Sequence, residues 1–401
     1  MEDAPTPRNV TALTVFVAFL RQGLTAFGGP TAHLAYFRAE FVERRRWLSE
    51  AAFADLLALC HVLPGQASSQ LGIAIGLRMA GVSGALAAFA GFTLPAAVAM
   101  IALARLAPLL TVHLGPGWLH GLQVAAAAVV LQAVIQMART LAVEPVRAGL
   151  AIGAALGLII AQGPVAHLMV LAAGGVFGMA LLRETDPDPP RDDQPPVVDT
   201  GSANVALGLF ALLLVGLPIA ASLLANPGLG MAGVFYRTGA MVFGGGHVVM
   251  PLLEREVVER GWLDAQTFVA GYGLLQALPG PLFGFAGYVG AAQTYGPGGI
   301  VGGLIALLAI SMPGLLLVVG VMPHWDRLKH NGWARGVSAG LGAAVVGLLA
   351  AALWDPVLMI AVRRPADWAL VAAAYVFLAI ARAPPWMVVI GFAVATAVFL
   401  P

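Results

Sequence analysis

Residues 300–323, IVGGLIALLAISMPGLLLVVGVMP, run without one charged side chain. A helix crosses the hydrocarbon of a bilayer with roughly 20 apolar residues, so this stretch commits the chain to a fold built in lipid. Residues 85–107, 119–138, 203–225 and 336–354 are also apolar and long enough to span. Of the 401 residues 60% are hydrophobic and 10% charged, against about 25% charged in soluble domains. A transmembrane barrel would instead alternate apolar and polar residues in segments of about ten. The expected fold is an all-α, polytopic (multi-pass) membrane protein with the lipid bilayer as its first partner.

Net charge is +1, too small for a basic field, so no nucleic acid partner is expected. Cys60 is the single cysteine, which leaves no intrachain disulfide and no thiolate metal cluster. The first ten residues, MEDAPTPRNV, read as a soluble tail rather than a cleavable signal. Residues 183–202 are rich in proline and aspartate and cannot bury a core, so they read as a solvated linker.

That linker divides the chain into similar halves, expected as repeats over 1–182 and 203–401. RWLSEAAFADLLALCHVLPG (46–65) aligns without gaps to GWLDAQTFVAGYGLLQALPG (261–280), with seven of twenty positions identical. AFGGPTAH (26–33) matches VFGGGHVV (242–249) upstream, and GWLHGLQVAAAAVV (117–130) matches GWARGVSAGLGAAVV (332–346) downstream. Three landmarks in one order, near one offset of 215, mark a duplicated unit.

Within each copy a helix capped by Ser49 or Asp264 runs about 13 residues to Leu-Pro-Gly, and a second short apolar piece (67–80 or 282–295) follows. Neither piece spans about 30 Å at 1.5 Å per residue. Each pair is one broken span or a re-entrant hairpin. Interrupted segments at matching places in two repeats point to a transporter's substrate site. Loop 37–50 holds four arginines, while its counterpart 251–264 has two arginines against four acids; 324–335 is basic, while 108–118 has no lysine or arginine. The positive-inside rule then sets corresponding loops on opposite faces, so the repeats are expected to have inverted topology. One segment between the halves must then fail to cross.

The break after Leu63 presents Pro64, Gly65, Gln66, Ser68, Ser69 and Gln70, with no acid nearby. Free N–H groups at a helix start, with neutral donors beside them, favour an oxyanion; a Pro-Gly kink with back-bonded hydroxyls is the structural alternative. Pro279, Gly280 and Gln276 are the second copy's contribution, with Pro281, Phe283 and Phe285 replacing the polar residues. Gly28, Gly29 and Pro30, and Gly244, Gly245 and Gly246, suit either close helix packing or further backbone breaks. His33 and His247 follow those glycines as coupling candidates, and Asp55 and Arg38 are charged candidates for coupling and for attracting an anion at an entrance. Arg78 and Arg105 lie near expected helix ends and read as snorkelling; Arg44, Arg45 and Arg46 read as an orientation-setting cluster. Nucleotide-loop, zinc-protease and serine-hydrolase motifs are missing. No enzyme activity, cofactor or metal is expected.

FGGPTAH with LPGQASSQLGIAIG, and FGGGHVVMPLLE with GYGLLQALPGPLFGF, together resemble the chromate ion transporter family, in its two-domain, long-chain form. The resemblance covers both halves. It implies a bacterial inner-membrane protein that exports chromate and confers chromate resistance, with sulfate as a chemically similar oxyanion. A homodimer is an open expectation, since the sequence does not give the oligomeric state. A sulfate carrier and a channel-like protein without an alternating cycle stay open as alternatives. Export needs no ATP: a dianion leaving a cell held at roughly −150 mV gains about 7 kcal/mol.

Overall fold

A computed structural model describes residues 10–161, 164–182, 198–243, 246–329 and 332–399. Residues 183–197 of the expected linker, and Gly244 and Gly245, lie outside the described residues. The regular structure among those described is helical, with no strand.

In the first half come α1 (Ala12–Thr25), α2 (Gly29–Phe37, continuing as a wider π turn over Arg38–Arg44), α3 (Glu50–Val62), α4 (Ala67–Leu114), α5 (Gly117–Leu141), α6 (Pro145–Ile160) and α7 (Pro164–Leu181). The single helix α8 (Thr200–Leu223) follows. The second half holds α9 (Pro227–Met241), α10 (Val249–Val257), α11 (Ala265–Gln276), α12 (Gly284–Ala292), α13 (Gly299–Val321), α14 (Trp325–Leu328), α15 (Gly332–Ala352), α16 (Met359–Ala361), α17 (Pro365–Ala379) and α18 (Pro385–Phe399). Five helices among the described residues have the length and apolar composition to cross a membrane, and they contain most of each span expected from sequence.

Local chemistry sets the boundaries. Ser49 accepts from the Ala52 N–H at 3.1 Å, and Asp264 from the Thr267 N–H at 2.8 Å. Both side chains therefore cap the helices they were expected to start. Proline opens α6, α9 and α17, where its missing N–H costs no helical bond. α4 is kinked where Ala80 and Gly81 leave helical geometry, so its first part matches the short piece expected over 67–80.

The duplication is visible in packing. Arg45 lies 5.2 Å from the Trp47 ring centroid, and Arg260, its equivalent at offset 215, lies 6.0 Å from that of Trp262. The last helices of the halves exchange partners: α7 packs on α15, and α18 on α5. A methyl added at Gly336 would stand 2.8 Å from the Gly178 carbonyl oxygen; one added at the equivalent Gly121 would stand 2.7 Å from Cα of Ala393. Glycine alone admits such backbone approach.

Apolar side chains also cover the outside: Leu13, Ile160, Val205, Leu223 and Phe399 are each at least 70% exposed. This is a surface solvated by lipid tails. α8 packs on α9 and α13 and leaves most of its circumference outward. Charges gather in the connections. Burial alone would raise the Glu40 carboxyl, but ion pairs with Arg45 and Arg44 outweigh it and hold the group below its ordinary range.

Candidate functional site: four helix breaks at one centre

The chain leaves helical geometry between α1 and α2, α3 and α4, α9 and α10, and α11 and α12. The break glycines need backbone conformations open to few other residues: φ is +134° at Gly65, +103° at Gly280, +102° at Gly28 and +74° at Gly29. Two backbone hydrogen bonds then cross between the halves. Gly65 N–H donates to the Val242 carbonyl at 2.6 Å, and Gly280 N–H to the Ala26 carbonyl at 3.0 Å. Each Leu-Pro-Gly break is thus held by the glycine-motif break of the other half.

Side chains join these pairs. His33, fully buried, has Nε2 at 3.2 Å from the Ala26 oxygen and Nδ1 at 3.4 Å from Ser68 Oγ. A carbonyl only accepts, so Nε2 carries the proton and Nδ1 accepts from the Ser68 hydroxyl. The Ala26 oxygen therefore serves both His33 and Gly280. From the other side His247 Nδ1 lies 2.7 Å from the Tyr272 hydroxyl, and a methyl added at Gly29 would stand 3.6 Å from His247 Nε2. Gln66 packs on the break between α9 and α10: a methyl at Gly246 would stand 2.7 Å from its Nε2.

Gln66 Oε1 accepts from the Ser69 hydroxyl at 2.9 Å, which turns its amide so that Nε2 is buried without a partner. Gln70 Nε2 donates to the Pro64 carbonyl at 2.8 Å and leaves Oε1 unpaired. Gln276 Nε2, one turn before the second break, is likewise buried and unpaired. Buried amides without partners are costly. Two unpaired donors and the starts of α2 and α4 give this centre the character of an anion site. The second break contributes backbone and apolar surface, since Leu282, Phe283 and Phe285 are buried around it.

Asp55 and Arg38 stand apart from these groups. Asp55 Oδ1 accepts from Trp325 Nε1 at 3.1 Å and from Lys329 Nζ at 3.2 Å, joining α3 to the segment after α13. Arg38 is half exposed and ion-paired to Glu43 at 2.6 Å and to Glu50. A further buried cluster escaped the sequence reading: Asp367 accepts from the backbone N–H groups of Arg363 and Arg364, each at 2.9 Å, and lies 3.1 Å from His120 Nε2. Pro365 at the start of α17, followed by an acid, was the available signal. Lys329 sat in a loop read only for its charge, and Tyr272 within GYGLLQALPG as part of the motif alone.

The family model described as chromate transporter matches the chain twice, over residues 13–179 and 229–397. The chain belongs to the chromate transporter family. In this family member each matched copy contains two of the four breaks, while α8 lies in neither copy. The chain is 29% identical over 382 residues to a chromate transport protein of Pseudomonas aeruginosa, covering 91% of this chain and 85% of the relative. It is 27% identical to a chromate transport protein of Cupriavidus metallidurans (87% and 83% covered) and 27% identical to an uncharacterized transporter of Methanocaldococcus jannaschii (86% and 84%). No solved structure matches the chain. This is a multi-pass membrane transporter and not an enzyme.

Proposed function

We propose that this transporter exports chromate through the bacterial inner membrane and so confers chromate resistance, with the four-break centre as its substrate site. The observation that carries the reading is the pair of unpaired, buried amide donors, Gln66 Nε2 and Gln276 Nε2, beside breaks tied together by Gly65–Val242 and Gly280–Ala26. Neutral donors suit a tetrahedral dianion that must also be released, since a fixed lysine or arginine would hold it more tightly. Gly246 packs against both Gln66 and Leu282, where an added methyl would stand 2.7 Å and 2.9 Å from them, so the break that carries Gly246 walls the site beside Gln66. His33 and His247 bridge the breaks and position them. Sulfate has the same shape and charge, and the same donors serve it.

The repeats have inverted topology on this reading. α3 with the first part of α4, and α9 with α10, are short pairs that return to the face they entered. The rest of α4, then α5, α6, α7 and α8, each cross between loops 37–50 and 251–264. That odd number puts the two loops on opposite faces, in keeping with their charges. The returning α9–α10 pair supplies the segment that does not cross. Residues 1–182 and 203–401 are the two functional halves.

Everted vesicles from cells expressing the protein test the reading. Energised vesicles accumulate labelled chromate, and expressing cells tolerate more of it. Unchanged tolerance at confirmed expression, with no vesicle uptake, overturns it. Competition by unlabelled sulfate ranks the two ions.

A further inference from the structure

Away from the four breaks, a cavity of about 190 Å³ lies between α7, α9 and α10. Water occupies about 30 Å³ in the liquid, so the space holds an ion of four oxygens with room for solvent. Three guanidinium groups line it: Arg237 on α9, Arg255 on α10 and Arg260 just after α10. Glu256 stands among them, its Oε1 2.7 Å from Arg237 Nη2 and its Oε2 2.7 Å from Arg260 Nη2. Arg255 Nη1 is 3.0 Å from Glu259 Oε1, yet lacks hydrogen-bond geometry to any described group and is buried. Glu256 Oε2 is buried and unsatisfied in the same way.

Three cations thus face two carboxylates, and donor and acceptor directions are left over on both sides. The first half differs: Arg38, Arg44 and Arg45 are met by Glu40, Glu43 and Glu50. Planar guanidinium groups gathered at a small cavity are the chemistry that grips a tetrahedral oxyanion through paired N–H groups. Position gives the cavity a role. Met241 also lines it and is followed directly by Val242, whose carbonyl fixes Gly65.

The geometry points to a second oxyanion site here, in which Arg237, Arg255 and Arg260 bind a tetrahedral oxyanion, free in solution or carried on a lipid head group, and Glu256 is the internal carboxylate it displaces. Its role as a waiting position for cargo rests on the oxyanion-export reading; its existence as a site does not.

Equilibrium binding of radiolabelled sulfate to the full chain in nanodiscs tests this. In a Gln66→Ala background, chosen to weaken the central site, residual sulfate binding is expected. Arg255→Gln should weaken that residual binding by about tenfold, the effect of one charge-assisted hydrogen bond. Glu256→Gln should tighten it by a similar factor, because the arginines lose their competitor. A variant that simply misfolds does not gain affinity, so the second substitution keeps the test sharp if the first destabilises the protein. Phosphatidylcholine discs compared with phosphatidylglycerol discs separate the sources: equal sulfate binding in both supports the free ion, and displacement in the anionic discs supports a lipid phosphate. Residual binding indifferent to Arg255→Gln and Glu256→Gln, or none at all in the Gln66→Ala background, overturns the second site. Binding that ignores Gln66→Ala but follows Arg255 and Glu256 would instead sink the central-site reading and leave this one standing.

Discussion

Lys329, almost wholly buried in the second half, places Nζ 3.2 Å from Oδ1 of Asp55 in the first. The same oxygen accepts from Trp325 Nε1, and Lys329 also meets the exposed Asp326 at 2.6 Å. At offset 215 the equivalents of Asp55 and Lys329 are Ala270 and Leu114. The duplicated scaffold therefore has an ionic latch at one of two equivalent places. Removing one partner from a buried pair strands the other charge.

Asp55→Ala is expected to cost about 3 kcal/mol, the low end for a buried pair because Asp326 still neutralises Lys329. The thermal midpoint of the purified protein checks this. Exchange of the charges, Asp55→Lys with Lys329→Asp, should recover part of the loss. A midpoint unchanged in Asp55→Ala would mean that the pair is not closed in the folded protein.

Gln66→Ala, Ser68→Ala and Ser69→Ala should each slow chromate transport while leaving the protein in the membrane. Loss of one hydrogen bond to a charged ligand is worth about 1.5–3 kcal/mol, so the half-saturating concentration should rise about tenfold or more for Gln66→Ala. Concentration series in everted vesicles measure it. Wild-type behaviour in all three variants would locate the cargo elsewhere.

Gly65→Ala and Gly280→Ala force alanine into conformations that cost about 1–3 kcal/mol. At Gly65 the added methyl also meets Gln70 Nε2 at 2.6 Å. Both variants should lose transport, and both should do so even though only Gly65 adjoins the polar break. Normal flux in Gly280→Ala would argue that the second break is mere packing.

Gly121→Leu and Gly336→Leu drive a side chain into the facing backbone of α18 and α7 respectively, and overpacking of this kind costs about 1–3 kcal/mol. Their amounts in the membrane should fall together. Gly149→Leu has open space around the new side chain and should leave the amount unchanged, which separates packing from a general effect of added bulk.

Expression of residues 1–197 and 198–401 as separate chains should give little of either alone and an assembled, chromate-exporting pair together. Co-purification through a tag on one piece is the readout. Stable accumulation of one half alone would contradict the reciprocal packing of α7 and α18.

Much of this was readable beforehand because the physics was local. A run such as 300–323 has one way to exist in lipid, and Ser49 and Asp264 cap because a side-chain oxygen sits three residues before an unpaired N–H. Leu-Pro-Gly breaks a helix whatever surrounds it. Partners across space were not readable. The bonds from Gly65 to Val242 and from Gly280 to Ala26 use backbone atoms, which no residue type announces. Arg38 looked free to draw in an anion because sequence does not tell which of several nearby glutamates folds back onto it; Glu43 and Glu50 both do. Lys329 counted only toward the basic charge of 324–335, yet it is buried against Asp55 beside Trp325.

With α7 clasped by α15 and α18 by α5, the two copies are threaded through one another like folded arms. A clamshell that swings its halves apart would have to unclasp both grips at once. The short broken rods at the middle carry no such grip, so a shift there would leave that frame shut.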